Sequence, residues 1–181
     1  SLRNNGFKVS IYDAVGENPE HNHCFDFESY ASGSLYTNGS SEEECLKAIP
    51  KNIKYIGVSF PFSHEWPLYK KYCKAIKQEH PNSIIIAGGE HATAMPEDCL
   101  LECDEIDFVV SGEGEEIIVE LLNKLESNQN VDQVSGISYR DIDFSIKSTE
   151  RRNRINSLDD IVRPAWDLLP IENYLSGGYS F

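Results

Sequence analysis

Between residues 55 and 125 the chain changes its hydrophobic period several times. Tyr55-Ile56-Gly57-Val58-Ser59-Phe60, Ser83-Ile84-Ile85-Ile86-Ala87 and Ile106-Asp107-Phe108-Val109-Val110 are short apolar runs. Such runs mark strands buried on both faces. Between them, Leu68, Tyr69, Tyr72, Cys73 and Ile76 recur at helical spacing within residues 66–78. Pro96 opens a stretch to Glu102 with proline in a first helical turn. Ile117, Ile118, Leu121, Leu122 and Leu125 lie on one side of a helix over 115–125. Strands that alternate with helices are joined by crossovers, and crossovers make neighbouring strands parallel. The expected fold class is therefore α/β, a parallel sheet with helices on both faces.

Ligands of such sheets sit beyond the carboxyl ends of the strands. Four segments qualify. Asp13-Ala14-Val15-Gly16 follows Phe7-Lys8-Val9-Ser10-Ile11-Tyr12, whose alternation predicts a strand with one face less buried. Ser59-Phe60-Pro61-Phe62-Ser63, Gly88-Gly89-Glu90-His91-Ala92-Thr93 and Ser111-Gly112-Glu113-Gly114-Glu115 follow the three apolar runs. All four are small or glycine-rich, which lets backbone approach a large ligand.

Composition removes several alternatives. The 16 Lys+Arg and 30 Asp+Glu leave a net charge of −14, so no basic face exists to read a phosphate backbone, and nucleic acid is excluded as a partner. No apolar run is long enough to span a membrane. Five scattered cysteines read as free thiols in a reducing cytoplasm. Gly112-Glu113-Gly114-Glu115 has the outline of a phosphate loop, but its carboxylates would repel a nucleotide triphosphate.

Residues 1–130 carry almost all of the excess acid. Residues 131–181 hold 8 acidic and 6 basic residues, five of the six arginines among them. The polar Ser127-Asn128-Gln129-Asn130 marks the expected boundary. Beyond it, residues 134–140 and 144–147 predict a hairpin, and residues 164–170, with two prolines, an extended linker. Residues 42–49 predict a short acidic helix capped by Ser40 or Ser41. The stretch 13–40 shows no periodicity. Within it His21-x-His23-Cys24 has ligand types suited to zinc, but no fourth ligand pairs with it, and chance surface histidines are the plainer reading. Leu2 to Gly6 reads as the last turn of a helix ending at a glycine cap, so Ser1 is expected to follow a cut in a longer protein.

Gly88-Gly89-Glu90-His91-Ala92-Thr93 with Pro96-Glu97, followed by Asp107-Phe108-Val109-Val110-Ser111-Gly112-Glu113-Gly114-Glu115, resembles the cobalamin-binding domain of radical S-adenosylmethionine enzymes. The anaerobic magnesium-protoporphyrin IX monomethyl ester cyclases and their methyltransferase relatives form that group. Tyr55-Ile56-Gly57-Val58-Ser59, Gly136-Ile137-Ser138-Tyr139-Arg140 and Arg163-Pro164-Ala165-Trp166-Asp167-Leu168-Leu169 fit the same order.

The resemblance implies a flavodoxin- or Rossmann-like domain over 1–130 that holds cobalamin. It implies a hairpin and linker over 131–181 leading to a radical SAM barrel beyond Phe181, with S-adenosylmethionine and a 4Fe-4S cluster in that barrel. The family's first strand would precede Ser1, between the strands at 7–12 and 54–59. Its absence predicts weak or absent cobalamin affinity, and a gap filled by the tail, by another chain (a homo-oligomer) or by altered strand order. The implied cofactor-binding residues are Asp13, Ser59, Phe60, Phe62, Ser63, Gly88, Gly89, His91, Gly112, Glu113 and Gly114. Phe60 and Phe62 with Ser59 and Ser63 would give an apolar slot and hydroxyls for a corrin. Glu113 would accept ligand hydrogen bonds or cap its helix, and His91 would approach cobalt, bond a corrin amide or serve structure. No Asp has histidine two residues later, so the common cobalt-histidine loop is missing. Cys99 and Cys103 lack the third cysteine of the cluster motif. The chain alone carries no catalytic constellation. Two other readings stand beside this one: a corrinoid-free domain that scaffolds the barrel, and a flavodoxin-like small-ligand sensor.

Overall fold

In the computed structural model the strands are, in chain order, β1 (Asn22–Phe25), β2 (Leu35–Asn38), β3 (Tyr55–Ser59), β4 (Ile84–Gly88), β5 (Phe108–Val110), β6 (Ile137–Arg140) and β7 (Ile146–Ser148). The helices are α1 (Ala14–Glu17), α2 (Glu42–Ala48), α3 (Trp66–Glu79), α4 (Glu90–Ala94), α5 (Pro96–Glu102), α6 (Gly114–Glu126) and α7 (Ile171–Ser176). The structure describes residues 1–25, 35–153, 155, 159 and 161–176. The chain divides into two units, Ser1–Lys8 with Lys51–Val162, and Val9–Pro50 with Arg163–Phe181.

The first unit is a five-stranded sheet in the order β3-β4-β5-β6-β7. β3, β4 and β5 are parallel, and β6 and β7 run antiparallel to their neighbours. β4 is an interior strand paired on both sides, and its adjacent residues Ile85 and Ile86, which point to opposite faces, are both buried. On the face of Ile86, Val110 of β5 and Ile137 and Tyr139 of β6 pack with Ile117, Leu121 and Leu122 of α6. Leu2 and Phe7 of the N-terminal segment join this cluster. Elsewhere in the core, Phe60 stacks on Tyr69 at 4.7 Å and meets Trp66 edge-on at 5.6 Å.

Three local expectations are corrected. Residues 7–12 form no strand, because a strand needs a neighbour to complete its ladder and no described strand pairs with them. β3, whose apolar run predicts a doubly covered strand, has a described partner on one side only, so it is the sheet edge. The gap whose filling was expected between 7–12 and 54–59 therefore does not arise between two described strands. The hairpin expected to begin a separate segment at 131 instead continues the sheet, because β6 pairs with β5 from Val110↔Ile137 to Phe108↔Tyr139. The Arg152 guanidinium holds Glu116 and Glu120 of α6 at 3.1 and 2.6 Å. Arg154 lies outside the described residues.

The second unit fills part of the stretch that showed no periodicity. α1 is followed by the antiparallel hairpin β1-β2, with His23 opposite Thr37. Phe27 and Tyr30 of that stretch lie outside the described residues. α2 begins with a capping box: Ser41 Oγ accepts from the Glu44 N–H, and the Glu44 carboxylate accepts from the Ser41 N–H. The predicted linker holds a short 3₁₀ turn at Trp166–Leu168 and then α7. The Asn173 side chain of α7 donates to the Gly16 carbonyl at 2.8 Å, which ties α7 to α1. No helix among the described residues is long and apolar enough to cross a membrane.

Candidate functional site

The parallel strands end side by side. Gly57 lies opposite Ile86 and Ser59 opposite Gly88, so with period-two alternation these four residues share one face. The chain then turns sharply. The Phe60 N–H donates to the Gly88 carbonyl at 2.7 Å, and the His91 N–H donates to the Phe60 carbonyl at 3.0 Å. These bonds lock the end of β3 to the turn that opens α4. Gly89 stands in that turn at φ 97°, ψ −179°.

On the shared face lies a groove of about 400 Å³, lined by β3, the end of β4, Val110 and the start of α6. Its floor is bare at two points. A Cβ on Gly57 or on Gly88 would meet no atom within 4 Å. Ile86, Val110 and Ile118 give it apolar walls, and Ser59 and Glu115 bring polar groups to it. An open, mostly apolar trough with a glycine floor suits a flat, bulky ligand edged with hydrogen-bonding groups. A corrinoid tail or edge would meet that description at Ser59 and the backbone of Gly88, Gly89 and Gly114.

Four of the candidate residues line this groove: Ser59, Gly88, Gly89 and Gly114. The others sit elsewhere. Phe60 is fully buried in the aromatic cluster. Phe62 is exposed, with the His64 ring 5.7 Å away. Ser63 Oγ is 3.0 Å from His91 Nδ1. His91 is buried, and its ring lies 4.9 Å from Trp66 rather than in the groove. Burial holds the His91 imidazole below the ordinary histidine range, against the opposing pull of Glu102 and Asp98. The Gly112 N–H donates to Thr93 Oγ1 at 2.9 Å. Glu113 makes no side-chain cap on α6. Its carboxylate accepts instead from the Ile155 N–H at 2.7 Å. Asp13 belongs to the second unit, where it accepts from the Gly16 N–H at 3.0 Å and from the Tyr174 hydroxyl at 2.8 Å. Burial first, and this bond to Asp13 next, push the Tyr174 phenol up to about 12.

Sequence reasoning missed Gly57, Val58, Ile86, Ala87, Val110 and Ile118 as groove residues, and it placed Glu115 in a rim segment without choosing it as a binding residue. Gly57 left a signal. Glycine inside an otherwise apolar strand marks a place where something must come close to the backbone. The aliphatic residues left none, since a wall residue and a core residue read alike.

Residues 1–122 match the family described as B12 binding domain. The chain is 31% identical over 149 residues to the methyltransferase PH0819 of Pyrococcus horikoshii, a match covering 80% of this chain and 32% of that protein. It is 32% identical over 108 residues to the anaerobic magnesium-protoporphyrin IX monomethyl ester cyclase of Synechocystis, covering 60% of this chain and 21% of the cyclase. The chain thus corresponds to about a third or less of these relatives' length. Among solved structures, the cobalamin-dependent S-adenosylmethionine radical enzyme OxsB, with aqua-cobalamin and S-adenosylmethionine bound, superposes with a TM-score of 0.51 at 24% identity. That match covers 62% of this chain and 15% of OxsB, and at that identity it speaks for the fold.

Proposed function

The chain belongs to the B12 binding domain family, and we propose that its groove forms part of a corrinoid seat in a longer, radical S-adenosylmethionine protein of the cyclase or methyltransferase type. The observation that carries this reading is the bare glycine floor of the groove, Gly57 and Gly88, at the carboxyl ends of parallel strands. Relatives of both types share this portion of sequence, so the portion supplies what the two reactions have in common. When bound, the corrinoid carries a methyl group or assists an oxidation, while the barrel makes the substrate radical.

This chain's own residues bind and orient. Gly57 and Gly88 leave room for a ring or tail edge against the strands. The Ser59 hydroxyl donates to a ligand amide carbonyl. Ile86, Val110 and Ile118 exclude water from that contact. β3 has a described partner strand on one side only, and the affinity of the isolated chain is expected to be low.

Titration with hydroxocobalamin, followed by visible absorbance, tests this. The expected result is a saturable shift with a dissociation constant above micromolar. Gly88→Val projects a side chain into empty space, so it is expected to leave the melting temperature near that of the parent chain. It should weaken the ligand at least about tenfold, equivalent to ~1.4 kcal/mol. A saturable shift unaffected by Gly88→Val overturns the proposal, as does the absence of any saturable shift up to about 1 mM.

A further inference from the structure

The second unit brings together three residues that lie apart in sequence. His21, His23 and Glu44 each offer a donor atom, and these atoms all lie within 4.8 Å of one another. We propose that they form a binding site for a divalent transition-metal ion of the zinc class.

The placement follows from local structure. His21 and His23 are two residues apart at the start of β1, so they project from the same side of the strand. The backbone beneath them is held. The His21 N–H donates to the Asn18 carbonyl at 3.0 Å, and the His21 carbonyl accepts from the Gly39 N–H at 2.9 Å. The two imidazoles meet edge to face, with centroids 6.2 Å apart and an interplanar angle of 86°. Glu44 comes from the first turn of α2. Both bonds that its carboxylate receives from Ser41 end on Oε2, at 2.8 and 2.9 Å, so the cap does not use Oε1.

A second observation points to a ligand. His23 Nε2 is shielded from solvent and has no hydrogen-bond partner among the described residues. A buried nitrogen in that condition is costly unless something binds it. Two imidazoles and one carboxylate are a donor set that zinc takes in three-ligand sites, with the fourth position left to water. A tetrahedral ion with bonds of about 2.0–2.1 Å holds its donors roughly 3.3 Å apart. Small side-chain rotations bring the three groups to that spacing. Glu42 and Glu43, beside Glu44 in the first turn of α2, add negative charge near the site, as does the net charge of −14 on the chain.

The experiment uses the full 181-residue chain, stripped of metal with a chelator. Zn²⁺ is titrated against a chromogenic chelator, and Co²⁺ is added separately for its visible spectrum. The expected result is one ion per chain. Co²⁺ should show d–d bands of a low-coordinate nitrogen and oxygen site without an intense thiolate charge-transfer band. His21→Ala and His23→Ala should each weaken Zn²⁺ by about tenfold or more, since even supporting groups around a metal are worth that much. His21 is exposed, so its removal should leave the circular dichroism spectrum unchanged. Glu44→Gln should weaken Zn²⁺ as well while keeping α2, because glutamine also serves at that position of a capping box. Cys24→Ser with Cys45→Ser should leave the affinity as it was. Zn²⁺ binding that survives His21→Ala, His23→Ala or Glu44→Gln, or that disappears with the cysteine pair, overturns the proposal, and so does the absence of binding.

Discussion

Gly89 meets two demands that no other residue meets together. Its φ of 97° and ψ of −179° lie in a region open essentially to glycine alone. A Cβ there would also come within 2.8 Å of the Phe60 carbonyl oxygen. That carbonyl cannot yield cheaply, because it accepts from the His91 N–H and sits beside the bond from Phe60 to Gly88. Gly89→Ala is therefore expected to destabilise the fold by about 2–3 kcal/mol in urea denaturation. Gly88→Ala, which meets nothing within 4 Å, should stay within about 0.5 kcal/mol of the parent. Equal losses at the two positions would contradict this account. His91 supplies a second residue-level expectation. Burial lowers its pKa in the folded chain, so the unfolded chain takes up the proton first as the solution is acidified. Its contribution to stability is complete above the unfolded histidine value of about 6.5 and is lost as the pH falls from there toward the lower folded value. Unfolding midpoints between pH 7.5 and 5 should fall less steeply in His91→Gln than in the parent chain. Parallel profiles would show that His91 is not held neutral.

β3 is the element whose sequence and surroundings disagree most. Its run Tyr55-Ile56-Gly57-Val58-Ser59 suits a strand covered on both sides, yet it stands at the sheet edge with Ile56 and Val58 only half-buried. An unpaired edge leaves alternate backbone groups to solvent. Hydrogen exchange measured residue by residue should find the β4 amides uniformly slow and those of β3 alternately slow and fast. Uniform protection through β3 would mean that another strand covers it, from a second copy of the chain or from elsewhere in a longer protein. α6 shows the opposite case. Its glutamates at positions 116 and 120, one turn apart, are gripped by Arg152. Glu113, ahead of its first turn, holds the Ile155 N–H. The segment after the hairpin is thereby fastened to the helix that walls the groove.

Across the whole molecule the cysteines divide by burial. All five are free: Cys24 is exposed, Cys45 half-buried, and Cys73, Cys99 and Cys103 buried. Burial pushes the Cys99 thiol up to about 12. Cys73 is raised by its hydrogen bond with Cys103 and by burial. The three buried thiols belong to the first unit and the other two to the second. A disulfide reagent such as DTNB at pH 8 should titrate Cys24 and Cys45 in the native chain, leaving the other three until the first unit opens. Subdenaturing urea should accelerate only that slow class. Rapid reaction of all five would show that the core of the first unit is not closed as described.

The sequence was sufficient for β4, α3, α5 and α6, whose observed ends lie within a residue or two of those expected. Hydrophobic period, proline position and the Gly88-Gly89 stop are local signals, and local signals determine local elements. It also pointed to the carboxyl ends of the parallel strands, where the groove lies. The tertiary structure decided which residues at that end face the groove. Ser59 and Gly88 do because they are register partners, while Phe60, one residue on, turns into the core. It decided that Glu113 serves Ile155, forty-two positions away, and that Glu44 comes beside His21 and His23. It also decided that residues 7–12 stay outside the sheet. A ladder partner or a converging side chain is a long-range neighbour, and periodicity carries no record of which distant residue will supply it.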